Sequence, residues 1–260
     1  MNLSIKARLN YRAPKPCWVL LQIEAAETAG QQLINPQLHI AGSHQLNRIS
    51  SDDGMGERVW IHVHDQLDCD YQADVTLDVE PQDIKTREAS ELCDLPAETV
   101  KYLLPSRYCT VFEFDDVLRA EFGHLRGGAQ VAAMAQWVQQ SLVYDPAASD
   151  ATTSAWQTFR QGRGVCRDFA HVLISLARAA AIPARYVSVY SPDAVPMDFH
   201  AMVQVYLDGA WLGVDPSGLS HPERNAIIGI GRDATDVSFL TSYGDLQFVS
   251  QKVDVQLGGG

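Results

Sequence analysis

Cys166, His200 and Asp215 are the residues of this 260-residue chain whose types and settings could do chemistry together. Cys166 follows Gly162-Arg163-Gly164-Val165 and opens an apolar pattern of helical period. Phe169, Val172, Leu173, Leu176, Ala177 and Ala180 mark one buried face that runs to about Ala181. Cys166 is therefore expected in the first turn of a core helix. Free backbone N–H groups and the positive end of the helix dipole gather there, and they favour a thiolate over a thiol. Arg163 and Arg167 add positive charge beside it. A small cysteine that only packs is the equal alternative at this point, because free Cys is among the most buried residue types.

A hairpin supplies the partners. Phe199–Leu207 and Ala210–Asp215 are strand-like runs joined by Asp208-Gly209, a strong two-residue turn signal. In that register Leu207 faces Ala210, Met202 faces Asp215 and His200 faces Ser217. Side chains alternate along a strand, so His200, Met202 and Asp215 share one face. His200 and Asp215 become diagonal neighbours within side-chain reach. Val203, Val205, Leu207, Leu212 and Val214 form the other, core face. A three-residue turn would shift the register by one and separate the pair. The pair alone reads equally well as a satisfied polar contact at a sheet edge. With Cys166 it makes an activated thiol nucleophile: the imidazole takes the thiol proton, and Asp215 sets its tautomer and stabilises its charge. The Cys166 N–H is a natural oxyanion donor.

Other polar residues invite less. His62 and His64 share a strand face without a third ligand at a telling spacing, so a solvated face is expected. Asp168 and His171 lie three apart on the nucleophile helix and are expected to pair with each other or with the arginines. Asp198 precedes the histidine by two and is expected to border the cleft. Tyr144 and Trp156 are candidates for a second oxyanion donor or an acyl-binding wall, with core packing favoured for each. Arg232 and Asp233 lie in a loop that could line a cleft. Cys109 reads as a packed thiol.

The net charge of −12 argues against nucleic acid or an anionic membrane as partner. No run of about 18 apolar residues is present. The five cysteines, Cys17, Cys69, Cys93, Cys109 and Cys166, are odd in number, widely spaced and free of CxxC pairs. That disfavours a disulfide framework or a zinc site and suits a reducing compartment. Met1–Lys15 has no apolar core of signal-peptide length, so a cytoplasmic location is expected.

Positioning elements surround the three residues. Residues 1–80 hold several short alternating runs, at 3–9, 17–23, 37–40, 59–64 and 71–79. Turns are expected at Ala13-Pro14, Asn35-Pro36 and Ser51–Gly56, giving an all-β sandwich. Residues 81–100 read as a linker. Helices are expected at about 116–122, from Gly127-Gly128 to before Asp145-Pro146, and at Ala155–Gln161 with Ser154 as N-cap. A strand at Ala184–Tyr190 follows the nucleophile helix.

Three stretches in combination resemble the transglutaminase-like superfamily of papain-like folds. They are Gly164-Val165-Cys166-Arg167-Asp168-Phe169-Ala170-His171 opening a helix, His200-Ala201 opening a strand, and Val214-Asp215-Pro216 closing the next. Leu104–Cys109, Ser154–Phe159, Ile182–Ser188 and Gly231–Val237 are similar to one bacterial branch of papain-like cysteine proteases. Met202 and Gln204 stand where the family often has Trp and Glu, which bears on the cleft wall. The resemblance implies an α+β protein: a papain-like core, with the nucleophile helix packed on an antiparallel sheet, at 99–260, and the sandwich at 1–98. It implies Cys166, His200 and Asp215 as a catalytic triad acting through a thioester on peptide or carboxamide substrates. Hydrolysis, by a peptidase or amidase, is the conservative expectation. The alternatives are a catalytically silent protein- or peptide-binding module, and acyl transfer from a small thioester or arylamine donor. No cofactor or metal is expected, and no D-x-D-x-D-G loop suggests calcium.

Overall fold

A computed structural model of the chain describes residues 1–41, 46–51 and 54–258. Strict alternation builds the first strands. In β1 (Asn2–Arg12), Leu3, Ile5, Ala7, Leu9 and Tyr11 are buried. The strands β2 (Cys17–Leu21), β3 (Gln31–Ile40), β4 (Asn47–Ser50), β5 (Glu57–Val63) and β6 (Gln66–Leu77) follow. Short helices α1 (Ala97–Val100) and α2 (Asp115–Val117) lead to α3 (Gly127–Ser141), β7 (Val143–Tyr144), α4 (Ala155–Gln161) and β8 (Arg163–Gly164). Then come α5 (Cys166–Ala179), β9 (Ala184–Tyr190), β10 (His200–Leu207), β11 (Ala210–Val214), β12 (Ala226–Gly231), β13 (Leu240–Tyr243) and β14 (Gln247–Leu257).

Two antiparallel sheets, β14-β1-β6-β3 and β13-β2-β5-β4, share one apolar core. A third, β11-β10-β9-β12, carries α5. Phe169, Val172, Leu173 and Leu176 of α5 join Val203, Val205, Leu207 and Leu212 in a second core. The opposite face of this sheet is buried as well. Val187, Val189, Met202 and Ile230 pack there. Near them Tyr190 stacks on Tyr71 and donates its hydroxyl to the Ile23 carbonyl, 2.7 Å away. The Gln31 amide both donates to and accepts from the backbone of Ile227, at 2.8 and 2.7 Å. The two units thus meet through buried contacts.

Several sequence expectations need correction. β13 and β14 return to pair with β2 and β1, so the sheets cross the expected boundary at 98/99. The separation of those pairs in sequence hides them from any local pattern. Residues 81–100 are not a free linker. The Arg87 carbonyl accepts from the Gly128 N–H at 2.8 Å, and the Glu88 carbonyl accepts from the Asp208 N–H at 3.0 Å. Asn35-Pro36 sits within β3, where the register shifts between Ile34 and Gln37. Proline is tolerated because β3 is an edge strand and the site is a bulge. The helix expected at 116–122 changes at Leu118 to a π-helical turn. Asp52 and Asp53 of the turn expected at Ser51–Gly56 lie outside the described residues. Ser154 caps α4 through a capping box with Gln157.

Candidate active site

The hairpin turn has the expected chemistry. Asp208 and Gly209 both take positive φ, +48° and +77°, as a two-residue primed turn requires. Leu207 faces Ala210, and the ladder runs up to Val203 opposite Val214. It ends there, so His200 pairs in the sheet with Val189 of β9 instead. Asp215 leaves the strand and its side chain returns to His200. Nε2 of His200 lies 2.8 Å from Oδ2 of Asp215, with both side chains buried. This face does point away from the core of Val203, Val205, Leu207 and Leu212, and it is buried in turn, because Met202 packs in the smaller apolar cluster.

Cys166 begins α5. The Val165 carbonyl accepts from the N–H groups of Asp168 and Phe169, at 2.8 and 3.0 Å. The Val165 N–H donates to Oδ2 of Asp168 at 2.9 Å, closing the first turn. Asp168 also takes the Arg167 guanidinium at 3.1 Å, so it braces the turn and does not pair with His171. A Cβ on Gly164 would lie 2.8 Å from both Cβ and Oδ2 of Asp168. Because Asp168 is held on both sides, Gly164→Ala should destabilise the chain by about 1–3 kcal/mol. A thermal melt matching the wild type would contradict this bracing.

His200 lies within hydrogen-bonding reach of Cys166. Since Nε2 is engaged by Asp215, Nδ1 is the nitrogen left for the thiol. Burial alone would lower the His200 pKa. Hydrogen bonds and charge from Asp215 and Cys166 outweigh it, and the imidazolium is held up to about 10. Burial would raise the Asp215 carboxyl, but the histidine and two serines hold it below the ordinary range. Ser217 donates to Oδ1 of Asp215 from N–H and hydroxyl, at 2.9 and 2.6 Å. Ser220 does the same to Oδ2, at 2.8 and 2.7 Å. These serines were missed in the sequence. Their signal was an Asp followed by Ser at the second and fifth positions beyond it, a pattern that folds back on its own carboxylate.

A cleft of about 1080 Å³ opens over Cys166 and His200. Tyr144 lines it, 41% exposed, with its hydroxyl beside the Cys166 N–H. Burial, then the charges of Cys166, Asp198 and Asp168, push that hydroxyl up to about 12, so it stays a neutral donor. Core packing was the favoured expectation for Tyr144 and is corrected. Trp156 does pack, against Phe114 and Phe159. Asp198 lines the cleft, exposed. Arg232 pairs with Asp236, and Asp233 is buried and accepts the Tyr108 N–H, so neither lines it. Burial, then Arg167 and Arg178 against an opposing Asp233, pushes His171 down to about 3; it accepts the Ala234 N–H, at 3.2 Å. Cys109 is buried and pushed up to about 12, chiefly by burial. Arg163 reaches Asp145 at 3.5 Å on the exposed side. The rings of His62 and His64 lie 4.6 Å apart, and no group of three metal-ligating side chains occurs among the described residues. Met202 and Gln204 do not line the cleft; Gln204 accepts from Arg185. The departure from the family pattern therefore leaves the cleft wall untouched.

Residues 118–216, which contain Cys166, His200 and Asp215, match the transglutaminase-like superfamily. Those residues are a transglutaminase-like domain. The α+β architecture agrees with a transglutaminase-like, papain-like core. The crystal structure of a candidate cysteine protease from Cytophaga hutchinsonii superposes with a TM-score of 0.90 at 27% identity. That match covers 98% of this chain and 90% of the other, so it takes in the two-sheet unit beside the transglutaminase-like domain. An uncharacterized Mycobacterium leprae protein, ML0607, is 37% identical over 119 residues, 42% of each chain. This chain thus spans less than half the length of that relative. The periplasmic domain of TgpA from Pseudomonas aeruginosa gives a TM-score of only 0.41 at 17% identity, over 85% of this chain and 92% of that one. No helix among the described residues is long and apolar enough to cross a membrane.

Proposed function

We propose that this chain is a cysteine-dependent amide hydrolase working through a thioester on peptide or carboxamide substrates. The observation that carries this reading is the buried 2.8 Å His200–Asp215 contact beside Cys166 at the start of α5. Cys166 Sγ, as the thiolate, attacks the carboxamide carbon. The C–S bond forms as the carbonyl π electrons move onto oxygen. The Cys166 N–H and the Tyr144 hydroxyl are the donors assigned to that oxyanion. On collapse the C–N bond breaks, and imidazolium Nδ1–H of His200 protonates the leaving amine. Water then gives its proton to His200 and adds to the thioester, and the C–S bond breaks to release acid and thiolate. An amine in place of water would make the same chain a transferase. The odd count and wide spacing of the five cysteines support a reducing, cytoplasmic setting.

Iodoacetamide at pH 6 tests the nucleophile. Cys93 is exposed and serves as the reference thiol within the same chain, while Cys17, Cys69 and Cys109 are buried. Cys166 should label at least about tenfold faster than Cys93, and His200→Ala should remove the difference. Labelling of Cys166 no faster than Cys93 would sink the reading and leave a peptide-binding module in its place.

A further inference from the structure

The cleft is continuous with an aromatic face that the proposed reaction does not use. In the sheet β13-β2-β5-β4, alternation sends Val19, Leu21, Val59 and Ile61 into the core. The cross-strand register then places the other residues in rows on the outer face. One row is Tyr243, Trp18 and His62, and the next is Thr241, Leu20, Trp60 and Asn47. Leu20, Thr241 and Tyr243 also line the cleft. On the same face Trp18 is 47% exposed and Tyr243 61% exposed. Trp60 contacts Tyr243, with ring centroids 5.3 Å apart, and stands at 86° to Trp18 at 6.4 Å. His62 lies over Trp18 at 4.7 Å.

Two properties identify the occupant. No Asp or Glu projects from this face of the four strands, and its cation, Arg58, is already engaged by the Gln22 side-chain oxygen at 3.3 Å and the Asp236 carbonyl at 2.8 Å. Such a face suits an uncharged ligand. The perpendicular tryptophans form a notch, whereas stacking of a sugar needs a flat ring surface. A notch of aromatic edges and faces accepts the narrow side chains of an extended apolar peptide, proline above all.

We propose that this face binds the part of the substrate polypeptide beyond the scissile amide, as an extended segment of aliphatic and proline side chains seated on Trp18, Trp60 and Tyr243. It rests on the reading of the cleft as a peptide amidase site and adds a substrate preference to it.

Two measurements on the full chain test it. The first is tryptophan-fluorescence titration of the Cys166→Ala protein with an acetylated, amidated decapeptide of alternating Pro and Leu. Trp18→Ser should weaken binding about tenfold, the usual cost of losing an aromatic anchor, and Trp18→Tyr should restore it. The second compares turnover of a single-residue anilide with that of a peptide carrying the same apolar extension. Trp18→Ser should lower kcat/KM about tenfold for the long substrate and leave the short one unchanged. Equal effects on both substrates, or on neither, would overturn the proposal, as would quenching by cellohexaose with none by the decapeptide. Decapeptide binding that depends on Trp18, in a protein that cleaves no amide, would uphold the surface and refute the hydrolase.

Discussion

Cys166→Ala is expected to lower amide turnover on the order of 10⁵-fold while leaving the thermal midpoint in place. The loss is large because nucleophile and base act as a unit, so removing one forfeits nearly all that both supply. The fold should tolerate the change. Cys166 is half-buried, at the start of a helix whose stability comes from Phe169, Val172, Leu173 and Leu176. The first turn is closed by Asp168, not by the thiol. Steady-state turnover on a peptide amide, with a melt beside it, checks both halves. Residual turnover within tenfold of wild type would place the chemistry elsewhere.

Asp215 should show the opposite division between its two variants. Its carboxylate receives His200, both donors of Ser217 and both donors of Ser220. Asp215→Ala strands a buried imidazolium and two backbone N–H groups, and should cost about 3–5 kcal/mol. For a chain of this size that is a fall in thermal midpoint of roughly 10 °C. Asp215→Asn keeps the shape and loses much less stability. It loses the charge that stabilises the imidazolium and the group that sets its tautomer, so turnover should fall about 10³- to 10⁴-fold.

The pH dependence follows from the sign of each shift. His200 is raised to about 10 in the folded chain, above its ordinary value. Its stabilisation is therefore complete below about 6.5 and fades as pH rises through about 10. Asp215 is lowered, so its share is present above about 3.9 and disappears as pH falls through its folded value. The stability gap between wild type and Asp215→Ala should be widest between about pH 4 and 6.5 and shrink toward pH 10. Chemical denaturation across that range measures it. A gap that closes near pH 6.5 would mean that His200 titrates as a free histidine.

The sequence by itself determined whatever is local. Helical period and the turn chemistry of Gly164-Val165 put Cys166 at a helix start, and Asp208-Gly209 set the register that brings His200 near Asp215. These features depend on residues within a few positions of one another, so a pattern can carry them. Tertiary structure decided what comes from distant segments. The wall that β2 and β13 lend to the cleft joins residues over 200 positions apart. Tyr144 reaches the Cys166 N–H only because β7 pairs with β8. The parity of the hairpin foresaw the histidine and its carboxylate; it did not foresee that a second core would bury that face. Burial of that kind depends on which surfaces meet, and that is what turns a neighbouring His and Asp into a buried, charged pair.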